Sequence, residues 1–322
     1  MLLMKTVILF LACIALSSCQ DVEINNKCSY SMNKSIFGCQ DLSDSVKNID
    51  GFITPQTRML MIRNSNVRFA PYHHNLTNYQ HLINYNIIDN NQVQIDEFAF
   101  YGMTNLNYLR ITGNYLPVLK NDTFVGLDNL VFLLLPKNNI SSCEPKSFVG
   151  LQSVTQINLA ENKIQTIQSN LFSNLNELNH LFLDHNQIKK IEMHAFADIP
   201  NLEVIDLSFN KLEIVNTDVF NAVHKLNTLL LHFNNIKTLA GIFHLNNLKF
   251  LRLDNNNLDE IEGNTFANLE NIYTIDLSHN NLSTITSQPF VHLKSLKHLH
   301  LGGNNANASF FERLKETVSV VT

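Results

Sequence analysis

A leucine-rich motif that recurs at a nearly constant interval constrains the fold of this chain more than any other feature. Between residues 178 and 188, Leu or Ile occupies positions 178, 181, 183 and 188, with Asn186 between the last two. The same pattern, L-x-x-L-x-L-x-x-N-x-L, recurs in phase at 202–212 and 272–282. When the second apolar position is taken as the marker of each unit, the markers fall at 86, 109, 133, 157, 181, 205, 229, 251, 275 and 299, after a degenerate unit at Leu60. Ten in-phase copies predict a solenoid, in which each unit buries its apolar face only against its neighbours.

Each unit contains a short predicted strand, because the x-L-x-L core alternates with period two and directs its leucines to one side. Stacked units would pair these strands in one parallel sheet. The Asn column is predicted where the chain leaves the sheet, where its amides can satisfy buried backbone groups. Its members are Asn91, Asn114, Asn138, Asn162, Asn186, Asn210, Asn234, Asn256, Asn280 and Asn304.

A second periodic column consists of phenylalanines fifteen residues after the marker: Phe124, Phe148, Phe172, Phe196, Phe220, Phe266 and Phe290. Phe100 and Phe243 fill the same slot in two units that the marker spacing shows as shortened. We expect these rings to stack as an aromatic spine beneath the convex side.

This repeat resembles the 24-residue "typical" class of extracellular leucine-rich repeats, as in Toll-type receptor ectodomains and insect leucine-rich immune proteins. The resemblance covers residues 57–310. It implies an α/β repeat solenoid, a horseshoe with a concave parallel β-sheet and an irregular or short-helical convex side. It also implies recognition of other molecules, but the fold alone does not specify the partner.

The N-terminus has the pattern of a secretory signal peptide at residues 1–19. Lys5 precedes an apolar run from Thr6 to Leu16 that is too short to span a bilayer, and a polar segment begins at Gln20. A retained membrane anchor and a lipobox at Cys19 are the alternatives. We assign residues 20–56 to an N-terminal cap, 57–304 to about eleven repeats and 305–322 to a C-terminal cap helix or tail, with no second membrane span.

The remaining cysteines have two different predicted roles. Cys28 and Cys39 lie in a segment that resembles the cysteine-bearing cap of this family, which usually has four cysteines, so we expect one disulfide. Cys143 occupies the slot held by Leu119 and Ile167 in neighbouring units, which predicts a buried free thiol; the alternative is an interchain bridge.

Beyond the last repeat, Phe310, Phe311, Leu314 and Val318 have helical spacing. This spacing predicts an amphipathic helix that closes the solenoid. The alternative is that the same apolar face mediates dimerisation through the C-terminal segment.

The outward strand positions lie one residue before, and one, three and four residues after, each marker. They are mostly polar, with two apolar interruptions. The first consists of Tyr108, Phe132, Leu134 and Pro136, and the second of Phe182, Val204, Phe209, Leu230, Phe233 and Phe250.

Clustered exposed aromatics usually mark a contact surface, although isolated apolar residues on a surface are ordinary. We therefore predict a ligand-binding site at Phe182, Phe209, Leu230, Phe233 and Phe250, and a second candidate patch at Tyr108, Phe132 and Leu134. The alternative for Phe209 and Phe233 is that they fold over the turn and support the Asn column.

N-glycosylation sequons begin at Asn33, Asn75, Asn121, Asn139, Asn281 and Asn307. None of these residues occupies an outward strand position, so the predicted concave sheet is free for contact.

Two groups of titratable residues are candidate sites. Asp184, Asp206, Asp254 and Asp276 are expected to be solvated residues of the repeat consensus. His279, His298 and His300 gather near the last two strands, where they could hold a metal or sense pH. Because the spacing fixes no further ligand, we predict no metal and no cofactor.

The chain shows no sign of catalysis or of nucleic-acid binding. A net charge of -5 with a pI near 6.2 gives no basic patch for nucleic acid or an anionic membrane. No G-x-S-x-G, H-E-x-x-H or phosphate-binding loop is present. The resemblance implies a secreted recognition or scaffold protein that binds a protein or pathogen-derived ligand through its concave face, in innate immunity or extracellular signalling. The alternative is a stoichiometric inhibitor of an extracellular enzyme.

Overall fold

The structure is a computed structural model that describes residues 23–24, 28–31, 34–41, 53–69, 79–90, 92–283, 288–305 and 314. The predicted signal segment, Asn33, Asn75, Asn307 and most of the predicted C-terminal helix lie outside these residues. The described part contains one 3₁₀ helix, at Thr217–Phe220. Its strands are β1 (Glu23–Ile24), β2 (Cys28–Ser31), β3 (Ile36–Gln40), β4 (Met59–Arg63), β5 (Asn66–Phe69), β6 (Asn84–Ile88), β7 (Gln92–Ile95), β8 (Tyr108–Thr112), β9 (Val118–Leu119), β10 (Phe132–Leu134), β11 (Ser142–Cys143), β12 (Gln156–Asn158), β13 (Thr166–Ile167), β14 (His180–Phe182), β15 (Lys190–Ile191), β16 (Val204–Asp206), β17 (Ile214–Asn216), β18 (Thr228–Leu230), β19 (Thr238–Ala240), β20 (Phe250–Arg252), β21 (Thr274–Asp276) and β22 (His298–His300).

One sheet of 14 strands runs through all the units, in the order β1-β2-β3-β4-β6-β8-β10-β12-β14-β16-β18-β20-β21-β22. From β3 onward every pairing is parallel. In β14, for example, Leu181 is buried while His180 and Phe182 are half-buried on the other side. The architecture is the predicted leucine-rich solenoid, and its core is one continuous apolar cluster.

The start of the sheet is antiparallel. Strands β1, β2 and β3 pair in succession, and Cys28 faces Cys39 across β2 and β3, where the two form a disulfide. Strand β3 then pairs in parallel with β4, so that the cap covers the apolar end of the first repeat.

The unit before Leu109 has a register one residue earlier than the sequence pattern predicted. Tyr85, rather than residue 86, pairs with both Leu60 and Leu109, and it is fully buried. The ladder position of this unit is therefore Asn90 and not Asn91. Phe100 consequently lies fifteen residues after its marker, and this unit is not shortened. The error arose because a tyrosine fills an inward position that elsewhere holds Leu or Ile.

The Asn column forms a continuous hydrogen-bond ladder. Asn210 donates from Nδ2 to the Leu183 carbonyl of the previous unit at 3.0 Å, and its Oδ1 accepts from the Ile188 amide at 2.9 Å. It also donates to the carbonyls of Leu207 and Ser208 in its own unit. Equivalent bonds recur from Asn114 to Asn304. Asparagine is suited to this place because one side chain supplies both an acceptor and two donors to buried backbone groups.

The phenylalanine column forms the predicted spine. The nine rings from Phe100 to Phe290 are at most 2% exposed, and seven neighbouring pairs have centroids 5.3–6.4 Å apart. We call these nine residues the phenylalanine spine; they are Phe100, Phe124, Phe148, Phe172, Phe196, Phe220, Phe243, Phe266 and Phe290.

Opposite the main sheet, the described chain consists mainly of turns and four two-stranded sheets, β5–β7, β9–β11, β13–β15 and β17–β19. Cys143 lies in β11, opposite Leu119, and is a free, buried thiol. Burial raises its pKa to about 12. At the other end, Leu314 is buried in the core, and the rest of the predicted closing helix and its dimer face lies outside the described residues. Among the residues that the structure describes, no helix is long and apolar enough to cross a membrane.

Candidate binding surface

The solvent-facing side of the main sheet carries the residues that the sequence singled out. We call it the sheet face and define it as the positions one before, and one, three and four after, each marker. At the three-after position, Thr112, Ser208, His232 and Asp254 are buried, while Pro136, Asp184 and Ser278 are half-buried. The part of the sheet face that a ligand can reach is therefore narrower than the four columns that define it.

The four-after column has left-handed backbone in every described unit. Its φ angles lie between 48° and 73° at Asn64, Asp89, Gly113, Lys137, Glu161, His185, Phe209, Phe233, Asn255, His279 and Gly303. Eight of these amides donate to a carbonyl of the next unit; Phe209 donates to the His232 carbonyl at 3.0 Å and Phe233 to the Asp254 carbonyl at 3.1 Å. The left-handed turn is thus a property of the repeat, and Gly or Asn adopts it at least cost.

Phe209 and Phe233 occupy this column in two adjacent units. For a residue with a Cβ the left-handed conformation costs roughly 1–2 kcal/mol. The two rings stack at a centroid distance of 4.4 Å and an interplanar angle of 10°, and His185 stacks on Phe209 at 4.2 Å and 10°. We call His185, Phe209 and Phe233 the aromatic stack. Its phenylalanines are 38% and 43% exposed, so they lie on the surface and do not fold into the Asn ladder.

His232 packs against the edges of both phenylalanines. Its ring centroid is 5.6 Å from that of Phe209 and 5.8 Å from that of Phe233, both edge-on. The side chain is 8% exposed, and its Nδ1 has no hydrogen-bond partner. Burial, and then the nearby Arg252, lower the pKa of His232, while Asp254, Asp206 and Asp276 oppose the shift. The imidazole is therefore neutral at pH 7.

The other predicted site residues lie within the strands. Phe182 and Leu230 are half-buried in their strands, as is Val204. Phe250 is 43% exposed and meets Tyr273 edge-on at 6.2 Å, and Tyr273 in turn meets His298 at 5.3 Å. The predicted patch thus divides into the aromatic stack at the turn edge and an aromatic row, Phe250, Tyr273 and His298, at the opposite edge.

The second candidate patch is smaller and better covered. Tyr108 and Phe132 are half-buried, and their rings lie 6.2 Å apart in adjacent strands. Leu134 is half-buried on the same face, two residues after Phe132. The patch contains ring contacts but no large exposed aromatic residue.

The expectation that the four sheet-face aspartates are solvated was wrong for Asp254, and Asp184, Asp206 and Asp276 are only partly exposed. Asp254 has a side chain only 4% exposed and forms a bidentate pair with Arg252, both N–O distances being 2.9 Å. Asp206 accepts from the amide and hydroxyl of Ser208 at 2.9 and 2.6 Å, and Asp276 does the same from Ser278. These short-range bonds are available because the chain turns immediately after the strand.

Asp184 differs from these three residues. Burial, followed by the charge of Asp206, raises the pKa of its carboxyl group. No cationic side chain lies within 4.0 Å of Asp184, Asp206 or Asp276 in the described part of the chain.

The three histidines weighed as a metal or pH site do not converge on one point. His298 and His300 stack at 6.2 Å on β22, while His279 belongs to the left-handed column of the preceding unit. Within the ranges that the structure describes, no group of three His, Cys, Asp or Glu side chains could hold a metal ion.

The described sequon asparagines lie outside the sheet face. Asn281 is exposed, Asn139 is half-buried, and Asn121 is half-buried with its Oδ1 accepting from the Lys146 amide at 2.9 Å. Glycans at these positions stay untested predictions.

Two sequence-family models match the chain, and both describe leucine-rich repeats. The model "Leucine rich repeat" matches residues 178–236 and 246–305, and "BspA type Leucine rich repeat region (6 copies)" matches 75–203. Together they cover most of the repeats, and the chain belongs to the leucine-rich-repeat proteins. A comparison with curated proteins gives no significant match.

Solved structures agree on the fold. A chain of the octameric complex of Latrophilin 3, Unc5D and FLRT2 (LRR) has a TM-score of 0.65 at 21% identity, over 86% of this chain and 83% of that one. An internalin from Listeria monocytogenes has a TM-score of 0.61 at 16% identity, over 87% and 76%. A chain of the TLR13–ssRNA13 complex has a TM-score of 0.58 at 21% identity, over 89% of this chain but only 53% of that chain. This chain therefore spans about half the length of the TLR13 chain, and the likeness shows the fold alone.

Sequence reasoning missed three participants in the surface: His185, His232 and Tyr273. His185 occupies the same column as Phe209 and Phe233, so alignment of the units could have placed it beside them. The burial of His232 could not be predicted from its column, because Asp184 and Ser278 at the same position are half-buried. Tyr273 lies two residues before its marker, outside the columns considered.

Proposed function

We propose that this chain is a secreted recognition protein that binds a protein or pathogen-derived ligand on its concave sheet face, in innate immunity or extracellular signalling. Leucine-rich-repeat proteins are generally recognition modules without catalytic activity, and similar structures come from complexes such as those of Toll with Spatzle and of TLR13 with ssRNA13. The aromatic stack is the proposed centre of the contact.

The single observation that supports this most is the position of two exposed phenylalanines on left-handed backbone. Other units use Gly113, Asn255 or Gly303 at this position, so the fold does not require an aromatic ring there. Exposed rings held in a fixed geometry also lose little entropy when a partner covers them.

The extracellular assignment has separate support. The sequence predicts a signal segment at 1–19, a disulfide joins Cys28 to Cys39, and six sequons are present. Disulfides are typical of oxidising compartments.

The test is a double variant, Phe209→Asn with Phe233→Asn. Asn is the right replacement because Asn255 already adopts φ 53° in this column. We expect unchanged secretion and melting, with loss of binding to the partner recovered from extracellular fluid by at least about thirtyfold, because aromatic anchors commonly contribute about 2 kcal/mol or more.

The matched control is Tyr101→Asn, which removes an exposed aromatic, 55% exposed, from the side away from the sheet face. Binding should be unchanged in this control. Undiminished affinity in a well-folded double variant would exclude the aromatic stack as the site.

A further inference from the structure

We infer that the ligand surface of this protein is selective for a cationic, extended protein segment, whose basic side chains pair with Asp184, Asp206 and Asp276 beside the aromatic stack. The inference rests on the proposed function, because it names the chemistry of the partner on the same face. Three features of the described residues support it. They are the distribution and pairing of charges on the sheet face, the neutral side chain of His232, and the distance between Asp206 and Asp276.

Charge is distributed unevenly along the sheet face. In the units of Leu109 and Leu133 its charged residues are the bases Arg110 and Lys137. In the six units that follow, from Ile157 to Ile275, the face has five acids, Glu161, Asp184, Asp206, Asp254 and Asp276, and one base, Arg252. The acidic stretch coincides with the aromatic stack.

Two of the five acids are already neutralised. Glu161 pairs with Lys137 of the previous unit at 3.3 Å, and Asp254 pairs with Arg252 at 2.9 Å. The other three have no cationic partner within 4.0 Å among the described residues, and Asp184 and Asp206 lie close enough to raise the pKa of Asp184. A cation between these two carboxylates would relieve both their repulsion and the partial burial of Asp184.

His232 contributes by remaining uncharged. Its ring contacts both phenylalanines of the stack, its Nδ1 is buried without a hydrogen-bond partner, and burial lowers its pKa. A protonated imidazole here would supply the missing positive charge from within the protein. Because it is neutral at pH 7, the negative field of the three aspartates remains directed towards a ligand.

Spacing fits an extended segment that runs across the strands. Asp206, Leu230, Arg252 and Asp276 are register partners on β16, β18, β20 and β21. With strands about 4.8 Å apart, Asp206 and Asp276 are separated by roughly 14 Å. An extended chain rises about 3.3 Å per residue, so side chains four residues apart on one face are roughly 13 Å apart. Basic residues at i and i+4, with an apolar residue at i+2 between Leu230 and Arg252, whose charge Asp254 already pairs, match this surface.

The probe is a fluorescent nine-residue peptide with arginines at its third and seventh positions, leucine at its fifth and serine or glycine elsewhere. Its controls replace both arginines by citrulline, which keeps the shape without the charge, or by glutamate. We expect the arginine peptide to bind the full secreted chain roughly tenfold or more tightly than either control, a difference of about 1.4 kcal/mol. Raising ionic strength from about 0.1 M to about 1 M should weaken it, because the Debye length falls from about 10 to about 3 Å.

The protein variant is Asp184→Asn, Asp206→Asn and Asp276→Asn together. Both this variant and the matched one below also carry Ser208→Ala and Ser278→Ala, because the new asparagines at positions 206 and 276 would otherwise create N-x-S glycosylation sequons on the sheet face. The change is structurally mild, since Asn158 at the same strand position already accepts from the Ala160 amide at 2.8 Å, as Asp206 does from Ser208. A matched variant, Glu177→Gln, Asp198→Gln and Glu270→Gln, removes three exposed acids outside the sheet face. Only the aspartate variant should lose the roughly tenfold preference for arginine.

The inference is overturned if the arginine peptide binds no better than its controls, if the aspartate variant keeps the preference, or if the matched variant loses it equally. Its failure can be told apart from failure of the proposed function. A natural partner whose binding is lost in Phe209→Asn, Phe233→Asn but kept in the aspartate variant and in high salt leaves the binding face intact and refutes the cationic chemistry. A partner that tolerates both variants refutes the binding face itself.

Discussion

Two columns of aromatic rings run along this solenoid, one inside and one outside, and they follow different rules. The phenylalanine spine has one ring in each of nine units, at most 2% exposed, with neighbouring contacts at 5.3–6.4 Å. The aromatic stack has rings in three units, with tighter contacts of 4.2 and 4.4 Å and with its phenylalanines 38% and 43% exposed. The spine recurs because every unit must fill the same interior space. The stack does not recur, and its neighbours in the same column are Glu161 and Asn255.

The difference teaches how to separate structural from functional aromatics in a repeat protein. A ring that appears in every unit at the same offset reports on the fold, because each unit faces the same packing problem. A ring that appears in a few adjacent units, at a position better suited to Gly or Asn, is not explained by the fold. The buried fraction of a ring separates structural from functional aromatics less clearly, because Phe209 on the surface is still more than half covered by its neighbours.

The largest expected effect comes from the interior column. Phe196→Ala removes a fully buried ring that stacks on Phe220 at 5.7 Å, and such losses cost about 3–5 kcal/mol. Chemical denaturation of the purified protein measures the change in unfolding free energy. Hydrogen exchange should show the greatest loss of protection in the adjoining units. A variant as stable as the parent would show that the spine is not packed as described.

The reactivity of the Cys143 thiol tests whether water reaches the interior beside the phenylalanine spine. Burial raises the pKa of its thiol from 9.0 to about 12, so the thiolate fraction at pH 8 should fall by roughly a thousandfold. We expect no alkylation of Cys143 in native protein and rapid labelling after denaturation, read by mass mapping. Recovery of Cys143 in an intermolecular disulfide would contradict the buried thiol.

Asn210→Ala breaks the ladder that lies between the two columns. It removes the partners of the Leu183 carbonyl and the Ile188 amide, both in the previous unit. Leaving buried backbone groups unsatisfied costs about 1–3 kcal/mol, less than loss of a spine ring. Denaturation midpoints of Asn210→Ala and Phe196→Ala, compared side by side, check this order. The reverse order would mean that the ladder and not the spine carries more of the stability.

The interior could be predicted from the sequence, and the surface only in part. Inward positions recur, so the pattern placed the spine and most of the ladder, and it failed only where Tyr85 replaced an aliphatic residue. Phe209, Phe233 and Phe250 were identified as exposed because their column offsets were known. The left-handed backbone beneath the stack, the burial of His232 and the pairing of Asp254 with Arg252 depend on how the turn covers the strand end. That geometry has no signature in hydrophobic periodicity, which records only which residues point inward.

The smallest expected effect comes from Phe209→Gly with Phe233→Gly, and it is the sharpest test of the comparison. Glycine removes a backbone cost of roughly 1–2 kcal/mol per position, while loss of the stacked pairs costs about 0.5–1.5 kcal/mol each. These terms oppose one another, so the unfolding free energy should change by no more than about 1 kcal/mol, as the presence of Gly113 and Gly303 in the same column suggests. The companion variant Phe209→Ala with Phe233→Ala loses the rings but keeps the unfavourable backbone, and it should be less stable than the glycine variant. Denaturant midpoints with unchanged slopes measure both. If the glycine variant is as unstable as Phe196→Ala, the aromatic stack is a structural element of the fold like the phenylalanine spine. Its exposed rings then give no support for a binding site.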